Sequence, residues 1–188
     1  MAAGRRVVNR EVHSSETGRF RVPSRQPEFS DSDHERRPFM TNYSAHFHLQ
    51  ARRGGFSEAA RTDEQLSHLF ERLLEAGGVL DNPTLYVVER PRFGVAGVPD
   101  HGLKFDFDVA AGVGALGYFG PDFDVPSMSL SAPPIVGAPV LYQDRHSALE
   151  FPASAAIPLP KVREAVLEFR RSGGRRPMCV AWQPADGW

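Results

Sequence analysis

Two histidines one residue apart, His46-Phe47-His48, are the nearest approach to a metal motif in this 188-residue chain. Residues two apart on a strand project from one face, so two imidazoles there could share an ion, with Asp106 or Asp108 as a further ligand. A small metal-assisted hydrolase would use that set. The plainer reading is a solvated sheet face on which histidines and aspartates form cross-strand pairs. Carboxylates make the second group: Asp106 and Asp108 on one strand face, Asp122 and Asp124 flanking Phe123, and Asp144 and Glu150 bracketing a short strand pair. Paired carboxylates do acid and base work when their environments split their pKa values. Alternation puts Asp106 and Asp108 on a wet face, where such splitting is weak, leaving a charged face for a partner or simple solvation. The third group is the stretch EFRRSGGRRPMCVAW, Glu168 to Trp182, with four arginines and the only cysteine. Nearby arginines could lower a thiol pKa, yet Cys179 stands beside small Ala181 in a predicted strand and is expected to pack as a small apolar residue.

Missing motifs narrow the field. The chain has no Gly-x-x-x-x-Gly-Lys-Ser/Thr loop, no Gly-x-Ser-x-Gly elbow, no His-Glu-x-x-His, and no His-x-Glu followed by Pro-Cys-x-x-Cys. With 22 basic and 23 acidic residues it is not a polycation for nucleic acid, and 41% apolar content supports a real core. One cysteine allows no internal disulfide and suits a reducing compartment. No apolar leader and no stretch of about 18 apolar residues occurs, so a cytoplasmic protein without membrane, nucleic-acid or cofactor binding is expected. Charge is uneven, however. Residues 41–160 hold eight basic and fourteen acidic residues, a net of −6, whereas residues 161–176 hold six basic and two acidic, a net of +4. An acidic body steers basic partners.

These residues need elements to hold them. Residues 1–39 follow neither period and are expected to form a disordered or loosely docked tail; translation from Met40 would omit them. Tyr43, Ala45, Phe47 and Leu49 alternate with Ser44, His46 and His48 as in a half-buried strand. Thr62 and Gln65 form a capping box ahead of the helical stripe Leu66, Leu69, Phe70, Leu73 and Leu74, stopped by Gly77-Gly78. Leu85 to Val88 reads as a buried strand, and Pro91 to Gly102 as a loop. A second alternating strand has Leu103, Phe105, Phe107 and Val109 inward, and a turn at Gly112 to Gly114 leads to its hairpin partner, Ala115 to Phe119. Five prolines between Gly120 and Pro139 predict a long loop or irregular edge. Val140 to Tyr142 and Ala148 to Phe151 are short strand candidates. Pro158 and Pro160 open a second helix with Val162, Ala165, Val166 and Phe169 inward, Gly173-Gly174 ends it, and Met178, Val180 and Trp182 alternate with Cys179 and Ala181 in a closing strand. The whole predicts one α+β domain, residues 41–186, with a mainly antiparallel sheet and both helices on one face.

Two runs carry a resemblance. FPASAAIPLPKVREAVLEFRRSGGRRPMCVAWQ (Phe151 to Gln183) and GALGYFG (Gly114 to Gly120) resemble family one of the immunity proteins of bacterial polymorphic toxin systems. The shared pattern is an apolar strand, a proline entry, a helix ending in Phe-x-x-x-Gly, then Arg-Pro and a strand closing on Trp182. The resemblance implies a small binder without turnover that neutralises a cognate nuclease or deaminase toxin by occluding its active site. It transfers no interface. Aromatic anchors with a charged rim mark the expected contact: Tyr118, Phe119 and Phe123 with Asp106, Asp108, Asp122 and Asp124.

Overall fold

The computed structural model describes residues 43–49, 56–76 and 80–185. The predicted tail, the Met40 start and the Gly77-Gly78 stop lie outside them. Twelve strands and two helices occur among these residues: β1 (Ala45–Leu49), β2 (Phe56–Ala60), α1 (Asp63–Glu75), β3 (Thr84–Val87), β4 (Arg92–Phe93), β5 (Val98–Pro99), β6 (Gly102–Asp108), β7 (Val113–Phe119), β8 (Ser127–Leu130), β9 (Tyr142–Asp144), β10 (Leu149–Glu150), β11 (Ile157–Pro158), α2 (Leu159–Arg171) and β12 (Ala181–Pro184). Eight strands build the main sheet in the order β12-β8-β7-β6-β3-β1-β2, with β11 also pairing β7. Each of these pairings is antiparallel. The α+β class with an antiparallel sheet is as the sequence predicts.

Alternation and helical spacing explain the core. Ala45, Phe47 and Leu49 of β1, Leu85 and Val87 of β3, Leu103 and Phe105 of β6, and Leu116 and Tyr118 of β7 pack with Leu66, Leu69, Phe70 and Leu73 of α1 and Val162, Ala165, Val166 and Phe169 of α2. Each large apolar side chain so removed from water contributes about 2 kcal/mol. The cap of α1 forms as predicted: Gln65 N–H donates to Thr62 Oγ1 (3.2 Å), and Gln65 Oε1 accepts from Arg61 N–H (2.8 Å). Arg170, at the end of α2, is buried yet fully engaged. It donates to Asp63 Oδ1 (3.1 Å), Tyr43 O (3.1 Å) and Arg61 O (3.0 Å), and so ties the end of α2 to the starts of α1 and β1. No described helix is long and apolar enough to cross a membrane.

Four expectations need correcting. The proline-rich stretch contains β8, which pairs with both β7 and β12, because Pro126 and Pro133 flank the strand and leave its N–H groups free to pair. Asp106 does point away from the helices, but that side is not wet. Residues 131–156 fold over it, setting Leu141, Phe151, Ala155 and Ala156 against Val113, Ala115 and Met128. Asp106 is 0% exposed; it accepts from Tyr142 N–H (2.7 Å) and Arg145 Nε (2.8 Å), while Asn82 donates to Tyr142 O (2.7 Å). Val109, predicted inward, is exposed because β6 ends at Asp108. Met178 is 79% exposed, since the closing strand starts only at Ala181. Two elements had no sequence signal: edge strand β2 and the hairpin β4–β5, inside what reads as a loop.

Candidate partner-binding end of the sheet

Strand directions bring several loops to one end of the sheet. Gly102, the first residue of β6, pairs with Phe119, the last of β7, and Val87, the last of β3, pairs with Ala45, the first of β1. The β4–β5 hairpin, the loop after β7 and the start of β1 therefore share that end. The exit of α2 joins them, where Gly173 and Gly174 have φ of +72° and +81°.

A buried polar hub holds the loops together. His101 is buried, with its ring 5.8 Å from that of Phe169, and its Nε2 accepts the Val87 N–H (2.7 Å). That bond places the ring proton on Nδ1, which donates to Asp100 Oδ1 (2.7 Å). Asp100 Oδ2 in turn accepts from Arg90 (3.3 Å), whose other terminal nitrogen reaches Gly173 O (3.5 Å) and Gly174 O (3.4 Å). The Tyr118 hydroxyl lies 3.4 Å from Gly174 O and 3.3 Å from Asp122 Oδ2. Burial holds the His101 pKa below its ordinary value, Asp100 opposing and Arg90 adding to the shift. Burial and then the Asp122 charge hold the Tyr118 hydroxyl protonated far above the usual range. His101–Asp100 has the outline of a catalytic pair, but a main-chain N–H already occupies Nε2, the atom that would take a substrate proton. The pair is a brace. Gly174 must be glycine for a second reason: a Cβ there would lie 2.7 Å from His101 Nε2.

Outside the hub, the loop Gly120 to Val125 presents Phe123, Asp122 and Asp124 to solvent. Phe123 meets Tyr118 edge-on at 6.3 Å, and the Arg176 guanidinium stacks 3.4 Å above its ring. Arg176 also donates to Ser127 Oγ (3.0 Å), and Trp182 donates its indole N–H to Pro177 O (2.7 Å). A cation over an aromatic face holds that face in one orientation. Phe123 is thus exposed and fixed at once.

The expected contact residues separate into three places. Asp122, Phe123 and Asp124 come together on this loop, with half-buried Phe119 nearby on the outer face of β7, its ring filling the space where a Cβ on Gly102 would lie. Tyr118 is 0% exposed and belongs to the core, because β7 turns Leu116 and Tyr118 toward the helices. Asp106 is sealed under residues 131–156, and Asp108, near it, caps the β6–β7 turn by accepting Ala111 N–H (2.8 Å). The metal set is not assembled: β3 separates His46 and His48 from β6, and no group of three metal-ligating side chains occurs among the described residues. Cys179 is half-buried, its thiol pushed up to about 12 by burial and then by Glu168, the opposite of a reactive cysteine. Sequence reading missed Arg90, Asp100 and His101; the proximity of Asp100 and His101 was visible, their burial was not.

A family model for the immunity protein Imm1 matches residues 54–184. The chain belongs to the Imm1 immunity-protein family. Comparison with curated proteins gave no significant match. The Imm1 match takes in the hub, the Phe123 loop and the β4–β5 hairpin, and leaves His46 and His48 outside. Within this Imm1 chain, the run from Phe151 to Gln183 serves mainly as architecture. Arg170 clamps the starts of α1 and β1, and Glu168 accepts the Met178 and Cys179 N–H groups (2.7 and 3.0 Å) to seat the segment before β12.

Proposed function

We propose that the protein is a cytoplasmic immunity protein that binds a cognate toxin domain of nuclease or deaminase type and neutralises it by covering its active site, without turnover of its own. The family match over residues 54–184 carries this reading. The Phe123 loop supplies the contact we assign to the toxin, with Phe123 as anchor and Asp122 and Asp124 on its rim. An aromatic held by Arg176 loses little freedom on binding, and two carboxylates beside it steer a basic surface.

The test is titration of the purified chain against a candidate toxin domain sought among the genes adjoining its own. A one-to-one complex that abolishes toxin activity, with an association rate falling as salt rises, is the expected outcome. Phe123→Ala should weaken the complex about tenfold. Undiminished toxin activity at a stoichiometric amount of this protein would overturn the reading; a salt-independent association rate would remove the acidic loop from it.

A further inference from the structure

The hairpin from Arg92 to Pro99 places three large apolar side chains in water: Phe93 at 62%, Val95 fully exposed and Val98 at 56%. Tips of surface loops are ordinarily polar, and these residues add nothing to the core. The hairpin is nonetheless well held. Its turn closes through Gly97 N–H to Gly94 O (3.2 Å), with both glycines at positive φ (+63° and +61°), a geometry that other residues adopt only under strain. Arg92 donates to Gly97 O (3.1 Å) and lies 4.8 Å over the Tyr86 ring, which stacks on His46 at 4.8 Å. Arg90 and Asp100, just outside the two strands, belong to the buried hub, so the hairpin and the Phe123 loop stand on one base.

Charge indicates what the hairpin meets. Arg92 makes no ion pair with a described carboxylate, whereas Arg90 is matched by Asp100. The neighbouring outer face of β1, β2 and β3 is made of His46, His48, Ser57, Ala59, Thr84 and Tyr86, without a carboxylate. Among the described residues the hairpin thus joins an apolar tip to a cation with no carboxylate partner, beside a strand face that carries no carboxylate.

We infer that the β4–β5 hairpin is a preformed wedge that enters an apolar cleft of the partner protein, with Arg92 meeting carboxylates at the rim of that cleft. The inference rests on the immunity reading for the identity of the partner. Because the turn and base are already fixed, binding orders little chain, and the gain from burying Phe93 and Val95 is retained. The partner must present acidic groups beside an apolar hollow here and basic groups opposite Asp122 and Asp124.

Binding kinetics against a catalytically inactive version of the toxin domain that the chain neutralises test this. The double variant Phe93→Ser with Val95→Ser should bind about 30-fold more weakly, mainly through faster dissociation. Arg92→Glu should slow association about tenfold at low salt, and less as salt rises. Thermal unfolding of the double variant should match the parent, since neither side chain packs in the core. Affinity of the double variant within about twofold of the parent, while Phe123→Ala binds weakly, would overturn the wedge and leave the immunity reading intact. A parent chain that binds no toxin domain would end both. Sedimentation of the isolated chain supplies the remaining arm: a dimer lost in the double variant, with toxin affinity unchanged, would make the hairpin a self-association surface and overturn the inference.

Discussion

Over β6, β7 and β8 the outer face of the sheet is roofed by residues 131–156, and Asp106 there is sealed against Arg145 and Tyr142. Over β1, β2 and β3 the same face carries His46, His48 and Tyr86, half-buried or exposed. In each half one strand shows the alternation plainly, and β6 with Lys104, Asp106 and Asp108, like β1 with His46 and His48, sets polar residues opposite the core. Alternation therefore assigns a side of the sheet, while burial is decided by what the rest of the chain lays over that side. A carboxylate under the roof is part of the fold. A histidine on the open half is available to other molecules.

Asp106 offers the most severe test of this contrast. Asp106→Ala deprives Arg145 and the Tyr142 N–H, both in the roof, of their acceptor and should cost about 3 kcal/mol in urea unfolding. Well below the melting temperature it should leave toxin neutralisation unchanged; an effect under about 0.5 kcal/mol would show that the roof is not anchored there. The next effect comes from acid. The folded-state pKa of His101 lies below the ordinary 6.5, so the neutral ring stabilises the fold above that pH, and the contribution disappears as pH falls through the folded value. Stability should decline between pH 7 and 5, with a shallower slope in His101→Gln; equal slopes would remove His101 as the cause. The smallest effect belongs to the open half. His46→Ala loses the stack on Tyr86 but also removes Nδ1, a buried atom without a hydrogen bond, so stability should change by less than about 1 kcal/mol. A larger loss would mean that the fold depends on the open half as much as on the roofed one.

This also explains how much the sequence could reveal. Strand β1, helices α1 and α2, and the β6–β7 hairpin were legible because each is long enough to show its period and carries its own punctuation, such as Thr62 with Gln65. The two-residue strands β4 and β5 are too short to have a period, and β2 reads Phe-Ser-Glu-Ala-Ala, which alternates weakly. Strand β8 was hidden by the prolines around it. In β7 the run Val-Gly-Ala-Leu-Gly-Tyr-Phe is apolar on both sides, so nothing local distinguishes core Tyr118 from outer Phe119. Of the expected contact residues, Asp122, Phe123 and Asp124 lie on an exposed loop as read. The burial of Asp106 depends on a roof beginning about 25 residues later, a relation no local pattern encodes.

Arg170 makes the fold answerable to its own order of synthesis. Its partners at positions 43, 61 and 63 emerge more than a hundred residues earlier, and β8 must wait for β12 to be paired on its second side. Contacts of such long sequence separation form late and slowly. A ribosome therefore has to pass residue 170 before the first strand and first helix can be locked, and a chain released short of that point would leave Asp63 without its guanidinium. The fold therefore closes when the message has been read nearly to position 184, not when its first half appears.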